Sequence, residues 1–178
     1  MEKEEYAIVL DYLPNGYPLE GRMIPIAQAI GVRNFVLLEL VPRHGVSLQP
    51  KEKVYIGKGK RDKIYYIRGR LPREKLTESA KIQLQDFIKE QVKEREKDFV
   101  EFFNKAEAIN TRIHQLELLP GFGKKHTKEI LEAREEKKFV SFEDIKKRIP
   151  SLPDPRKAIE KRIFEEVTEI KRHNLFAK

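Results

Sequence analysis

The chain has 178 residues, enough for one ordinary domain or two small ones. Charged residues make up 37% of it against roughly 25% in an average domain, the net charge is +8, and both signs are mixed, so the excess belongs to solvated faces and favours anionic partners. With no Cys there is no disulfide and no thiolate metal site. The longest apolar run, Phe35-Val36-Leu37-Leu38, is far too short to span a bilayer, and the acidic start Met1-Glu2-Lys3-Glu4-Glu5 leads into no signal-like segment, so a cytoplasmic protein is expected.

The first part reads as strands. Tyr6–Leu13 is rich in β-branched and aromatic residues and stops at Pro14-Asn15-Gly16. Phe35–Val41 stops at Pro42, Lys53–Ile56 at Gly57-Lys58-Gly59, and Lys63–Arg68 near Gly69 and Pro72. Residues 24–30 fit either a strand or a helical turn. About five short strands predict a small barrel over residues 1–73; an OB-like barrel is the natural candidate, although strand count alone does not separate it from an SH3-like one.

Residues 74–110 change character. Ala80, Leu84, Phe87, Ile88, Val92, Phe99, Phe102, Phe103 and Ala106 recur at helical spacing, which predicts one long amphipathic helix that Thr77 caps. Residues 111–178 read as a helical domain. One helix is expected from Thr111 to Leu118 and another from Lys124 to Arg134. A third, capped by Ser141 with Asp144 three positions on, stops before Pro150, and a last one runs from about Arg156 to Arg172. The fold class is therefore multidomain α and β, a small OB-like β-barrel followed by an α-helical domain. Residues 1–73 and 111–178 are each net +5, whereas 74–110 is net −2.

Leu119-Pro120-Gly121-Phe122-Gly123-Lys124-Lys125 is the most informative segment. Glycines allow a close backbone approach, a helix that starts after them offers unpaired N–H groups to a phosphate, and Lys124, Lys125 and Lys128 add charge. Phe122 between the glycines is expected to point inward. Leu119, Gly121, Phe122, Gly123 and Ile130 resemble the helix-hairpin-helix motif of repair nucleases, ligases and glycosylases, with Thr127 where Ala is usual. Such motifs often pair. The corresponding place one helix later, Ile149-Pro150-Ser151-Leu152-Pro153, lacks glycine and predicts a degenerate, structural second turn.

Residues 51–73 hold nine Lys/Arg against Glu52 and Asp62, with tyrosines between them. Cations beside aromatic faces suit single-stranded nucleic acid. Lys53, Tyr55, Lys58, Lys60, Arg61, Lys63, Tyr65 and Arg68 join Gly121, Phe122, Gly123, Lys124, Lys125 and Lys128 as candidate nucleic-acid contacts. Strand alternation across Lys63–Arg68 places Tyr65 and Tyr66 on opposite faces, so one of the two is expected in the core. The four His are scattered without ligand spacing, and no nucleotide-binding or hydrolase motif is present, so no catalytic residue, metal or cofactor is expected.

Nearly the whole chain resembles a family of uncharacterised archaeal proteins, the DUF655 or AF1531-like family. The resemblance runs through Tyr6–Leu13, Pro25–Gly31, Leu38–Pro42, Val54–Lys58, Phe99–Ala106, the glycine turn and Ser141–Ile145. It implies an OB-like barrel followed by a helical domain that carries the hairpin. Family members are often encoded beside translation and rRNA-modification genes, which implies RNA rather than DNA and a translation- or rRNA-related assembly. The expected function is non-enzymatic binding of RNA, or of a single/double-strand junction, between barrel and hairpin. A DNA-binding or repair accessory protein and a protein–protein adaptor are the alternatives.

Overall fold

The computed structural model describes residues 3–178; the first two residues of the acidic start lie outside that range. Five strands form one antiparallel sheet: β1 (Tyr6–Leu13), β2 (Ile26–Gly31), β3 (Leu37–Pro42), β4 (Lys53–Tyr55) and β5 (Ile64–Arg70). Their order is β4-β1-β2-β3-β5, so β4 and β5 are the two edges. The ambiguous segment before Gly31 is thus the central strand, and it is buried along its whole length.

Two features curl this sheet. Ala7, Ala27 and Ala29 pack in one buried cluster with Val9, Leu40, Leu48, Val54, Ile56 and Ile64, where small residues let the strands bend toward one another. Bulges add twist: Val9 pairs with Ala29 but Asp11 with Gln28, which leaves Leu10 as an extra residue. Strand β5 carries two more. Leu40 faces Ile67 after Glu39 has faced Gly69, and Pro42 faces Ile64 after Val41 has faced Tyr66, so Arg68 and Tyr65 are the residues left over.

Five α-helices follow: α1 (Glu78–Glu94), α2 (Glu96–Lys105), α3 (Lys124–Glu136), α4 (Phe142–Arg148) and α5 (Pro155–Thr168). The Thr77 hydroxyl caps α1 by accepting from Ala80 N at 3.0 Å, and itself donates to Asp11 Oδ2 at 2.6 Å. The expected single long helix is two, broken at Arg95 (φ −106°, ψ 36°). The sequence Lys93–Asp98 has no apolar residue, so nothing there holds the chain to a core, and the buried residues before and after it can follow different axes.

Two further expectations change. No helix runs from Thr111 to Leu118. Asn110 Oδ1 accepts from the amides of Arg112 (2.8 Å) and Ile113 (2.9 Å), a local turn that competes with helix, and only a 3-10 turn at Gln115–Leu118 follows. The last helix stops at Thr168 rather than near Arg172. The Glu166 carboxylate accepts from the amides of Leu175 (2.8 Å), Phe176 (2.9 Å) and Ala177 (3.0 Å), which requires the chain to turn back.

The described chain divides into two compact units, one formed by residues up to Phe87 together with Glu166–Lys178, the other by Ile88–Glu165. These limits differ from the divisions at 73 and 110 suggested by composition: the C-terminal segment belongs with the sheet, where Lys178 N donates to Asn34 O at 3.0 Å. The second unit packs around Phe103, whose ring lies 6.2 Å from that of Phe122 and 6.5 Å from that of Phe142. Among the described residues no helix is long and apolar enough to cross a membrane.

Candidate nucleic-acid interface

In the helical unit, Leu119–Phe122 is a tight turn. Phe122 N donates to Leu119 O at 3.0 Å, Pro120 stands second and Gly121, with φ +83°, third, the type II arrangement that only glycine adopts without strain. Phe122 is buried, as its place between the glycines suggested. Gly123 then takes the N-cap position of α3 with extended backbone and no side-chain oxygen to offer. A Cβ placed there would meet nothing within 4 Å, so the first turn of α3 opens to solvent on that side.

The charges around this opening are not equivalent. Lys124 Nζ donates to Glu117 Oε1 at 3.0 Å and to Arg112 O at 2.8 Å, and the Glu117 carboxyl is held below the usual carboxylate range chiefly by that lysine and then by the His114 amide. Lys125 and Lys128 are exposed and their side chains form no ion pair among the described residues. His126 turns inward. Its Nδ1 accepts from Gly123 N at 3.2 Å and its ring lies 5.7 Å from that of Phe122. Thr127, where a small residue is usual, is buried and donates its hydroxyl to Gly123 O at 3.0 Å.

The second turn closes with the same kind of hydrogen bond but follows a different backbone, because Ser151, which stands where Gly121 does, has no positive φ. Leu152 N donates to Ile149 O at 3.1 Å, and both residues are buried. Its helix starts differently. Asp154 Oδ1 accepts from Arg156 N (3.0 Å) and Lys157 N (3.2 Å), with Pro155 at the first helical position. The amides that are open in α3 are therefore bound in α5, and a carboxylate sits where an anion would approach. The pair Asp154-Pro155 is itself a helix-start signature and was legible in the sequence.

In the sheet unit, the basic aromatic strip divides between the two edge strands. On the β4 side, Lys53 Nζ sits 4.7 Å from the centre of the Tyr6 ring, which meets Tyr55 edge-on at 5.4 Å. Tyr6, exposed at the start of β1, belongs to this cluster although it lies outside the strip. Tyr55 serves the adjoining loop: its hydroxyl accepts from Gly59 N at 3.0 Å, and a Cβ on Gly57 would collide with the Tyr55 ring and hydroxyl. Arg61 closes the same loop by donating to Gly57 O at 2.8 Å. Lys58 and Lys60 are left pointing to solvent from a loop whose shape is fixed beneath them.

On the β5 side, Tyr65 is 64% and Tyr66 40% exposed, their rings edge-on at 5.4 Å. The expectation that one would enter the core fails because the bulge at Tyr65 shifts the alternation by one residue. Two strip cations are already paired. Lys63 is ion-paired to Glu52, and Arg68 donates to Glu20 Oε2 at 3.0 Å. Glu20 also holds Lys75 at 2.7 Å, and its carboxyl is lowered by Lys75 first and Arg68 second. No short-range signal pointed to Glu20, which lies 48 residues from Arg68.

Comparison with other proteins places the chain. The family model described as "Protein of unknown function (DUF655)" matches residues 3–178, and the chain belongs to that family. It is 46% identical over 173 residues to the uncharacterized protein MJ0038 of Methanocaldococcus jannaschii, covering 97% of this chain and 78% of that one. It is similar to the crystal structure of Af1531 from Archaeoglobus fulgidus, with 44% identity, a TM-score of 0.85, and coverage of 98% of this chain and all of the other.

Proposed function

We propose that this member of the DUF655 family is a non-enzymatic nucleic-acid-binding protein that takes RNA in preference to DNA and holds backbone phosphate at the start of α3. The segment from Gln115 to α3 is read as the binding arm of a helix-hairpin-helix, with Ile149–Leu152 as its structural partner. The curled sheet is read as a partly open OB-like barrel.

The observation that carries the reading is the contrast between the two helix starts. One has an exposed glycine whose own amide is taken by His126 Nδ1, no side-chain cap on the helix amides that follow, and the cations Lys125 and Lys128, which form no ion pair among the described residues; the other is closed by Asp154. A helix N-terminus with free amides and nearby lysines attracts phosphate, and backbone donors carry no base preference. The sheet's exposed Tyr65, Lys58 and Lys60 add stacking and charge suited to unpaired strands. The preference for RNA rests on the gene neighbourhoods that go with the family.

Fluorescence anisotropy with labelled oligonucleotides tests this. Binding should weaken steeply with salt, each neutralised phosphate contributing roughly −0.7 to −0.9 to the slope of log K against log salt. A flat salt response, or no binding at low salt, overturns the proposal. Competition between RNA and DNA of matched sequence separates RNA binding from the DNA-accessory alternative, and salt-insensitive capture of a protein partner would favour the adaptor.

A further inference from the structure

The sheet unit contains a cleft of about 410 Å³ remote in sequence from the glycine turn. Its walls come from the turn between β2 and β3, from the chain that leaves β5, and from the segment after α5. That volume lies in the usual range for small-molecule sites. Val36, Leu71, Pro72, Val167 and Ile170 supply apolar wall, and Ile170 is 87% exposed with nothing covering it. The turn contains a strained residue: Phe35, buried against the ring of Phe87 at 6.0 Å, has φ +56°. Non-glycine residues held in that region concentrate at ligand sites.

Two guanidinium groups line the same cleft. Arg73 donates from Nε to Val167 O at 3.1 Å, which orients the group and leaves its terminal nitrogens without a bond among the described residues. Arg70 reaches Lys178 O with both terminal nitrogens at 3.4 Å, beyond the usual bonding distance. Two carboxylates are also present. Glu166 is buried and fully engaged by three backbone amides, while Glu74 is exposed. The cleft thus offers an apolar slot beside two underused planar cations, and the guanidinium fork matches a phosphate better than it matches any neutral group.

We infer that this cleft binds a nucleoside monophosphate unit, the base against Val36, Leu71 and Ile170 and the phosphate on Arg70 and Arg73. The unit is either a free nucleotide or one nucleotide of an unpaired strand. The second source rests on the function proposed above; the first does not.

Methyl NMR of the full chain distinguishes them. Adenosine 5′-monophosphate, adenosine, inorganic phosphate and a short single-stranded oligoadenylate are titrated separately, and the methyls of Val36, Leu71 and Ile170 are followed, with Ile145 of the helical unit as control. The inference expects saturable shifts at the three cleft methyls and none at Ile145 with the mononucleotide, the oligonucleotide or both. Adenosine and phosphate alone should bind about tenfold more weakly, since each supplies half of the interactions. Shifts with the mononucleotide only identify a free nucleotide as the source, and shifts with the oligonucleotide only identify a strand. Arg70→Ala, which removes two long bonds, should weaken binding about fivefold or more by loss of a charge-assisted hydrogen bond to the phosphate. Arg73→Lys tests the other cation, and thermal melting accompanies both.

No saturable shift with either nucleotide probe overturns the inference, as does inorganic phosphate matching the mononucleotide. If the oligonucleotide binds elsewhere and neither nucleotide probe moves the cleft methyls, the cleft assignment fails and the proposed function stands. If the mononucleotide shifts the cleft but no strand binds anywhere, the reverse holds.

Discussion

At Leu119–Phe122 and again at Ile149–Leu152, a buried aliphatic residue is followed by proline, and the amide three positions on closes back at 3.0 Å and 3.1 Å. The turns already differ at the third residue, where Gly121 has φ +83° and Ser151 has no positive φ, and their mouths differ further. The first passes through Gly123 into a helix whose opening amides are uncovered, the second through Pro153 into one whose amides Asp154 occupies. Packing requires only the buried pair and the turn. The chemistry at the mouth is free to vary: in one turn no side chain caps the helix start, in the other a carboxylate does.

The largest effect should come from removing what the turns share. Phe122→Ala should cost about 3–5 kcal/mol and Leu152→Ala about 2–5, as buried side chains in a packed core do. Urea denaturation measures both. A mild loss at either position would mean that its turn is not anchored by that residue, and the equivalence would break.

Next comes the exchange of mouth chemistry. Gly123→Asp gives α3 the carboxylate that α5 has. Position 123 has φ −118° and open space for a side chain, so the fold should tolerate the change, and capping should raise stability by a few tenths of a kcal/mol. Nucleic-acid affinity should fall about tenfold, some 1.4 kcal/mol. Equal affinity in a folded Gly123→Asp protein would make the first turn as structural as the second. The converse change, Asp154→Ala, should cost about 1 kcal/mol by loss of the cap, and Asp154→Asn less because the amide oxygen still accepts. Thermal melting resolves the two.

A smaller, more diagnostic effect belongs to the lysines. Lys125→Ala with Lys128→Ala should reduce the salt slope by about one for each phosphate that is no longer neutralised. Lys124→Ala should do less, since Glu117 and Arg112 O already engage that ammonium. If Lys124 proves dominant, it must leave Glu117 on binding.

The smallest effect concerns the approach to each turn. Ser141 caps α4 through Asp144 N at 2.9 Å and does not titrate, whereas His114 caps the 3-10 turn through Leu116 N at 3.1 Å. Burial, then the charge of Arg134, pushes the His114 imidazole below its ordinary 6.5. On acidification the unfolded chain takes up that proton first, so its contribution to stability is complete above pH 6.5 and declines as the pH falls toward the lower folded value. His114→Asn keeps an acceptor at the cap and should flatten the decline in melting temperature between pH 7 and the onset of carboxylate titration. An unchanged decline would assign it to other groups.

Short-range chemistry was legible in the amino-acid order. The caps at Thr77 and Ser141, the proline–glycine turn, the inward Phe122 and four of the five strand segments each depend on dihedral preferences, on side-chain pattern or on bonds spanning three or four residues, so the residues that decide them are adjacent; the segment that became β2 fitted either a strand or a helical turn. The break at Arg95 was partly visible as an apolar gap and was masked by the helical spacing on either side. Long-range pairing decided the rest. The bulges at Tyr65 and Arg68 exist because β3 sets the register of β5, and they turn both tyrosines outward. Arg68 is bound by Glu20, 48 residues away, and the end of the chain is drawn in by Glu166. One basic strip in sequence became two edges because strand order is fixed by which hydrogen-bonding edges meet, and that is a property of the folded sheet and not of any of its segments.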